Sequence, residues 1–493
     1  MDTEIQKFFN NKTVFVTGGT GFLGKVLIEK ILRCTNIKRI YVLARSRAGQ
    51  DVKERFNEII KTPLFDKLHA TRPKFMDCVQ LMEGDCAQDK LGLSNDDYLT
   101  LVENVEVILH CAATVRFNEK LSVATAINVQ GTVDIVAMAK EMQHLVSFVH
   151  VSTAFVTSTT HTEERICSEN LSVTCQQLLS VKEALGDEKF DSLSSKFVGK
   201  FPNTYTFTKA ITENFIRSEA SSLPICIFRP GIILSTYQEP FGGWIDNIQG
   251  AVGVTFGVLM GVLRVVNIAY PRHAPIVPVD YCANMILAAA WSNASSSNKC
   301  SSTKEIPIYN LIPDEPNFLT WGQYIDTLVN YNNDMPYSKM LWYPTIRLIG
   351  SPRLYGLATI MYQTVPAYVM QLFFKISGSK ISMLKVNEKI ARLTDAAAHF
   401  ITHDFTFATT NTRHLWQSMS PEDRKLFDFD MTSVDWNEYL LRFAKGLREF
   451  IGKEEPETIP AAKSKLKRFY MCHVALNSVV CVGLLWTTQY IFF

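Results

Sequence analysis

Val14, Phe15 and Val16 form a short apolar run that ends at Thr17 and meets a cluster of glycines. Phe22, Leu23, Val26, Leu27 and Ile31 then recur at helical spacing. The change from a continuous apolar run to steps of three and four predicts a buried strand, a tight turn and a helix packed on the sheet. The alternation continues down the chain. Arg39–Leu43, Val79–Gly84, Val105–His110 and Leu145–Val151 read as further strands, and a helix opens at Asn128 and runs through Met138 and Ala139. Strands alternating with helices predict an α/β fold, a Rossmann-type doubly wound parallel sheet.

Two later stretches are apolar without being strands. Ile248–Val266 is rich in glycine and reads as the lining of an apolar tunnel, a segment resting on a bilayer, or a core helix. Leu354–Phe374 is an uncharged run long enough to span a membrane, but Gln363, Pro366 and Gln371 interrupt it, so it reads as buried or membrane-dipping. Phe469–Phe493 has no charge apart from His473 when protonated. As a helix its length is about 37 Å, against a hydrocarbon core of about 30 Å. Lys463, Lys465, Lys467 and Arg468 lie just before it, which places the large N-terminal part in the cytosol. Trp486 and Tyr490 suit the far interface. The expectation is a C-terminal transmembrane tail anchor in the endoplasmic reticulum or peroxisome membrane, with a final core helix as the alternative. Met1–Lys12 shows no signal peptide.

Composition narrows the class. The chain has 493 residues, 47% hydrophobic and 20% charged, and a formal net charge of +2. That is ordinary for a globular protein, and nothing in it argues for a nucleic-acid partner. Eleven cysteines occur without a Cys-x-x-Cys pair, the usage of a reducing compartment and not of a disulfide framework or metal site. The expected division is a dinucleotide-binding catalytic domain over 1–290, a mostly helical domain over 291–462, and the basic flank and tail over 463–493.

The chemistry gathers at the strand ends. Thr17-Gly18-Gly19-Thr20-Gly21-Phe22-Leu23-Gly24 sits between strand and helix as a dinucleotide fingerprint requires: Gly19 and Gly21 admit close approach of a pyrophosphate, Gly24 lets the helix pack tightly, and the N–H groups at the helix start face the phosphates. Arg45, with Arg47 beside it, stands about 21 residues after Gly24, where an acidic residue would grip a ribose 2′-hydroxyl; arginine there favours a 2′-phosphate, hence NADPH. Asp85 ends the third strand. His110-Cys111-Ala112-Ala113 places small residues beside the adenine ribose, with His110 read as packing and Cys111 as an unactivated thiol. In His150-Val151-Ser152-Thr153-Ala154, Thr153 is the candidate donor to a substrate carbonyl and Ser152 the runner-up. Tyr205 and Lys209, four apart on a helix, share one face; an ammonium near the phenol lowers its pKa toward neutrality and makes Tyr205 a proton donor or acceptor for a carbonyl undergoing hydride transfer.

In this order the fingerprint, Asn128-Val129-Gln130-Gly131-Thr132, His150–Ala154 and Tyr205–Lys209 resemble an extended short-chain dehydrogenase/reductase. Phe228–Ile233, with Pro230, resembles that superfamily's strand and turn near the nicotinamide. Gly243–Asn247, Gly261–Arg264 and Ile276–Asp280 resemble the alcohol-forming fatty acyl-CoA reductases. Leu341–Pro344, Pro366–Tyr368, Asn411–Arg413, Asp435-Trp436 and Gly446–Arg448 resemble their male-sterility domain. Phe155, where the family more often has tyrosine, and Cys282 beside Asp280 depart from the pattern. The resemblance implies a cofactor site over Thr17–Gly24, Arg45, Arg47, Asp85, Ala112, Asn128, Tyr205, Lys209 and Pro230, and catalysis by Tyr205, Lys209 and Thr153. It implies reduction of a long-chain fatty acyl-CoA to the primary alcohol through an aldehyde, with release of coenzyme A, NADPH as cofactor, membrane lipid as a partner and no metal. A membrane-bound sterol or steroid dehydrogenase, or a silent NADP-binding scaffold, are the alternatives. Thr160–Lys200 reads as an insertion over the site, with Lys189, Lys196 and Lys200 either meeting coenzyme A phosphates or forming a solvated face.

Overall fold

The computed structural model describes residues 2–46, 49–168, 170–268, 270–297, 305–378 and 382–492. They gather into two compact units, each assembled from three segments: 1–242, 275–318 and 405–434 in the first, 243–274, 319–404 and 435–493 in the second.

The first unit is built on seven parallel strands: β1 Thr13–Thr17, β2 Arg39–Ala44, β3 Val79–Glu83, β4 Val107–His110, β5 Ser147–Val151, β6 Ile225–Pro230 and β7 Ile308–Leu311. Their spatial order is β7-β6-β5-β4-β1-β2-β3, so the winding reverses between β1 and β4. Val14 pairs with Ile40 on one side and Val107 on the other, and all five residues of β1 are buried. A strand covered on both faces must be apolar throughout, which is why β1 shows no alternation. The crevice at the reversal, beyond the carboxyl ends of β1 and β4, is where a doubly wound sheet takes its ligand.

Four helices bear on that crevice: α1 Phe22–Cys34, α2 Val52–Ile60, α3 Gly131–Glu141 and α4 Thr204–Glu219. The helix expected to open at Asn128 begins earlier, at Leu121, and passes through a π turn over Thr125–Gln130 before α3. The run Leu121–Glu141 is apolar and long enough to cross a membrane, yet 61% of it is buried inside the protein, as a core helix is. Asn203 caps α4, its side chain accepting from the Thr206 N–H at 2.9 Å. Phe207 and Ile211 of α4 and Ile135 of α3 pack with Phe148 and Ile227 of the sheet in one buried cluster.

The insertion expected over Thr160–Lys200 contributes a short strand at His161–Thr162 and helices at Cys175–Ser192 and Ser194–Val198; Lys189, Lys196 and Lys200 are exposed there. Arg229 of β6 secures its root, donating to the carbonyls of Glu163 (2.8 Å) and Arg165 (3.1 Å) while pairing with Glu213 of α4.

The second unit is mostly helical. Ala251–Leu259, within the glycine-rich stretch, is a core helix whose Thr255 hydroxyl meets the Tyr324 hydroxyl at 2.7 Å. One helix, α5, runs through Pro352–Thr359, a π turn at Ile360–Thr364, and Val365–Ile376. It is followed by α6, Met383–Thr402, and the chain closes on α7, Ile459–Phe492.

Candidate active site

The glycine turn owes its shape to two close approaches. Gly18 has φ +71°, and a Cβ there would lie 2.7 Å from the Ala112 nitrogen; a Cβ on Gly24 would lie 2.2 Å from the Gly18 carbonyl oxygen. Gly21 then serves as the N-cap of α1 with no side chain to cap it, leaving the positive end of the helix for an anion.

Thr17, expected to touch cofactor, is instead fully buried: its hydroxyl lies 2.6 Å from His110 Nδ1 and accepts from the Ala112 N–H at 3.3 Å. His110 reaches Thr132 with its other ring nitrogen at 3.0 Å, so it ties β1, β4 and α3 together. Asn128 is committed in the same way. Its Oδ1 accepts from the Thr114 N–H (2.9 Å), and its Nδ2 donates to the Thr114 carbonyl (3.2 Å) and to the Thr208 hydroxyl (3.0 Å). It holds the segment after Ala112 against α4. Pro230 is buried at the end of β6.

At the other end of the crevice, Arg45 is exposed and lies 3.4 Å from Asp85. A residue that sequence reasoning missed joins it. Arg55 of α2 donates to the Thr20 hydroxyl and to the Arg45 carbonyl, both at 2.9 Å, so a second guanidinium lies against the glycine turn. Its only signal was a basic residue in the helix after β2. Arg47 lies outside the described residues, as do the side chains of Trp486 and Tyr490.

The carboxyl end of β5 meets α4. Lys209, 2% exposed, donates from Nζ to the Val151 carbonyl at 2.7 Å, and the Thr153 hydroxyl, which accepts from the Phe155 N–H at 3.3 Å, lies close enough to the Tyr205 phenol to act on its pKa. Phe117 flanks the Tyr205 ring at 6.1 Å between centroids. The expectation that Lys209 lowers the Tyr205 pKa is not met: burial pushes the phenol up to about 12, and only the Thr153 hydrogen bond opposes it. Burial also brings Lys209 down to about 8, with Glu213 acting against the shift. The Lys209 ammonium gives one hydrogen to Val151, and burial leaves the Tyr205 phenol resting as a neutral acid. Burial drives the Cys111 thiol up to about 12 and His110 down to about 3, so neither a thiolate nor an imidazolium is available.

A nicotinamide ribose fits this end. Lys209 has three donor hydrogens and its described oxygen partner is Val151 alone; the Ser152 hydroxyl is buried and has no partner among the described residues. Both are donors that a bound diol would satisfy, beside the phenol of Tyr205.

Comparison with known proteins extends the picture. Two family models, each described as male sterility protein, match residues 16–286 and 362–454. A Drosophila melanogaster protein named fatty acyl-CoA reductase wat is 39% identical over 97% of this chain and 91% of its own length. Homo sapiens fatty acyl-CoA reductase 1 is 31% identical over 98% and 92%. Among solved structures, the reductase domain of a Mycobacterium tuberculosis nonribosomal peptide synthetase shares the fold, with a TM-score of 0.58 and 18% identity over 90% of this chain and 92% of that one.

Proposed function

The chain belongs to the fatty acyl-CoA reductase family, and from that premise we propose that it reduces long-chain acyl thioesters of coenzyme A to primary alcohols through the aldehyde, with NADPH as the reductant. The carrying observation is the Tyr205–Thr153 pair at the end of β5, set beside Lys209 in a crevice that opens on the glycine turn.

When bound, a nicotinamide dinucleotide supplies hydride, once to the thioester carbonyl and once to the aldehyde. The residues do the rest. Thr153 and Tyr205 hydrogen-bond the carbonyl oxygen and stabilise the negative charge that grows there. Because the phenol is held near 12, it keeps its proton until the oxyanion is basic enough to take it. In the first round the tetrahedral oxyanion collapses, the C–S bond breaks and coenzyme A leaves as thiolate. In the second round Tyr205 protonates the alkoxide to give the alcohol. Lys209 orients the ribose diol and shares the proton that Tyr205 must recover.

This assignment predicts a pH dependence. Lys209 is cationic below its pKa of about 8 and neutral above it. Turnover should therefore be level near neutrality and fall with one proton's slope as pH rises through about 8, and Lys209→Met should remove that limb along with most activity. An unchanged alkaline limb in the variant would place the ionisation elsewhere.

NADPH is preferred over NADH on the strength of Arg45 and Arg55 at the ribose end. Each charge-assisted bond to a phosphate contributes about 1.5–3 kcal/mol. Arg55→Ala or Arg45→Ala should raise KM for NADPH by about one order of magnitude, leaving KM for NADH nearly unchanged. An equal loss toward both cofactors would remove the 2′-phosphate from this account.

We place the protein on the endoplasmic reticulum or peroxisome membrane through α7, with the catalytic unit in the cytosol. The uncharged run after Arg468 and the four cations just before it support that reading.

A further inference from the structure

Helix α5 buries a narrow face of two alanines and one glutamine and turns its large apolar side chains outward, the reverse of a soluble helix. Its inner face is pinned by Gln363, which donates to the Val262 carbonyl (2.7 Å) and Asn387 (3.1 Å) and accepts from the Arg264 N–H (3.0 Å). Ala358 and Ala367 are buried on the same side. Its outer face carries Leu354, Leu357, Ile360, Val369, Phe373 and Ile376, each 57–77% exposed. Ten of the twenty-three large hydrophobic side chains exposed among the described residues lie on this one helix. The hydropathy of the segment left it open between buried and membrane-dipping; its outer face is not buried within the protein.

The surroundings say what covers it. Along this stretch no Asp or Glu occurs between Asp334 and Glu388, whereas Lys339, Arg347, Arg353, Lys375 and Lys385 do. A second copy of the chain would set this basic frame against itself. An anionic lipid surface complements both the charge and the apolar stripe.

The same unit holds the base of α7. Trp342 stacks on Phe469 at 5.7 Å and Tyr343 lies against Tyr470 at 5.2 Å. Arg264 reaches over Trp342, and Arg347 lies 3.8 Å from the centre of the Tyr362 ring on α5. A patch of aromatic and guanidinium groups thus links α5 to the first turns of α7, and aromatic residues of this kind sit at headgroup level.

We infer that α5 lies in the plane of the bilayer, its outer face among the acyl chains and its basic frame at anionic phosphates, as a membrane contact separate from α7. The test uses the full chain in vesicles of phosphatidylcholine and phosphatidylserine, with Cys167, Cys300, Cys472 and Cys481 replaced by serine and a fluorescent label placed at Phe373→Cys on α5, Val482→Cys on α7 or Glu103→Cys on the first unit. Lipids carrying a nitroxide on the acyl chain should quench the label at 373 several-fold more than at 103. Quenching at 482 without quenching at 373 overturns the inference and leaves the α7 anchor standing; quenching at 373 alone does the reverse. Label-to-label contact between copies at 373, without lipid quenching, also overturns it. The double variant Leu372→Asp/Phe373→Asp changes only exposed positions, so it should keep its unfolding midpoint while a label at Val369→Cys loses its quenching. Undiminished quenching there would count against the inference.

Discussion

Tyr205→Phe should turn over acyl-CoA about 10³-fold more slowly than the native chain, the middle of the range for a general acid, while binding NADPH equally well. The substitution deletes one oxygen and keeps the ring beside Phe117, so packing is preserved and the lost group is the proton donor. The Thr153 hydroxyl that remains still accepts from the Phe155 N–H at 3.3 Å, but an aliphatic alcohol is too weak an acid to deliver the proton in its place. The measurement is single-turnover reduction at saturating NADPH, beside a binding titration. Turnover within a few-fold of native would remove Tyr205 from the chemistry; loss of binding would make it a cofactor residue instead.

The second large effect is on stability. Glu213 and Arg229 are 2% and 0% exposed and pair through two hydrogen bonds, one of them Arg229 Nε to Glu213 Oε1 at 2.9 Å. Removing one partner strands the other charge away from water, at a cost of about 3–5 kcal/mol. Glu213→Ala should lower the denaturant midpoint accordingly. The double replacement Glu213→Met with Arg229→Met should be the milder of the two, since no lone charge remains, although the carbonyls of Glu163 and Arg165 lose their donor. A single variant as stable as native would mean that water reaches the pair.

Much of the catalytic unit was legible because its signals are local. An apolar run, a glycine turn and a helical period mark β1 and its helix, and β1 to β5 start or stop within two residues of the expected strands, whereas β6 begins three residues ahead of the Phe228–Ile233 stretch and β7 carried no expectation. The helix containing Asn128 shows where this fails. Its opening was put at the motif, but Leu121–Ala124 is already helical and the motif lies in a π turn, whose five-residue step no period of 3.6 reveals.

At the site, spacing placed Tyr205 and Lys209 on one face but not what their polar atoms meet. The Lys209 partner is a backbone carbonyl 58 positions away, and residue types do not register carbonyls. Burial then set the phenol's pKa in the direction opposite to the one read from its neighbour. Thr17 and Asn128 are similar cases: both stand in ligand-like motifs, and both spend their side chains inside the protein. Arg55 is the converse, a surface-looking helix residue that folding brings to the glycine turn. The orientation of α5 was also beyond hydropathy, because an uncharged run has the same average whichever face turns inward.

The most direct test is product analysis with the detergent-solubilised full chain, NADPH and acyl-CoAs of graded length. The account predicts primary alcohol, with about two NADPH oxidised for each coenzyme A released. NADPH binding with neither alcohol nor aldehyde formed from any acyl-CoA would contradict it.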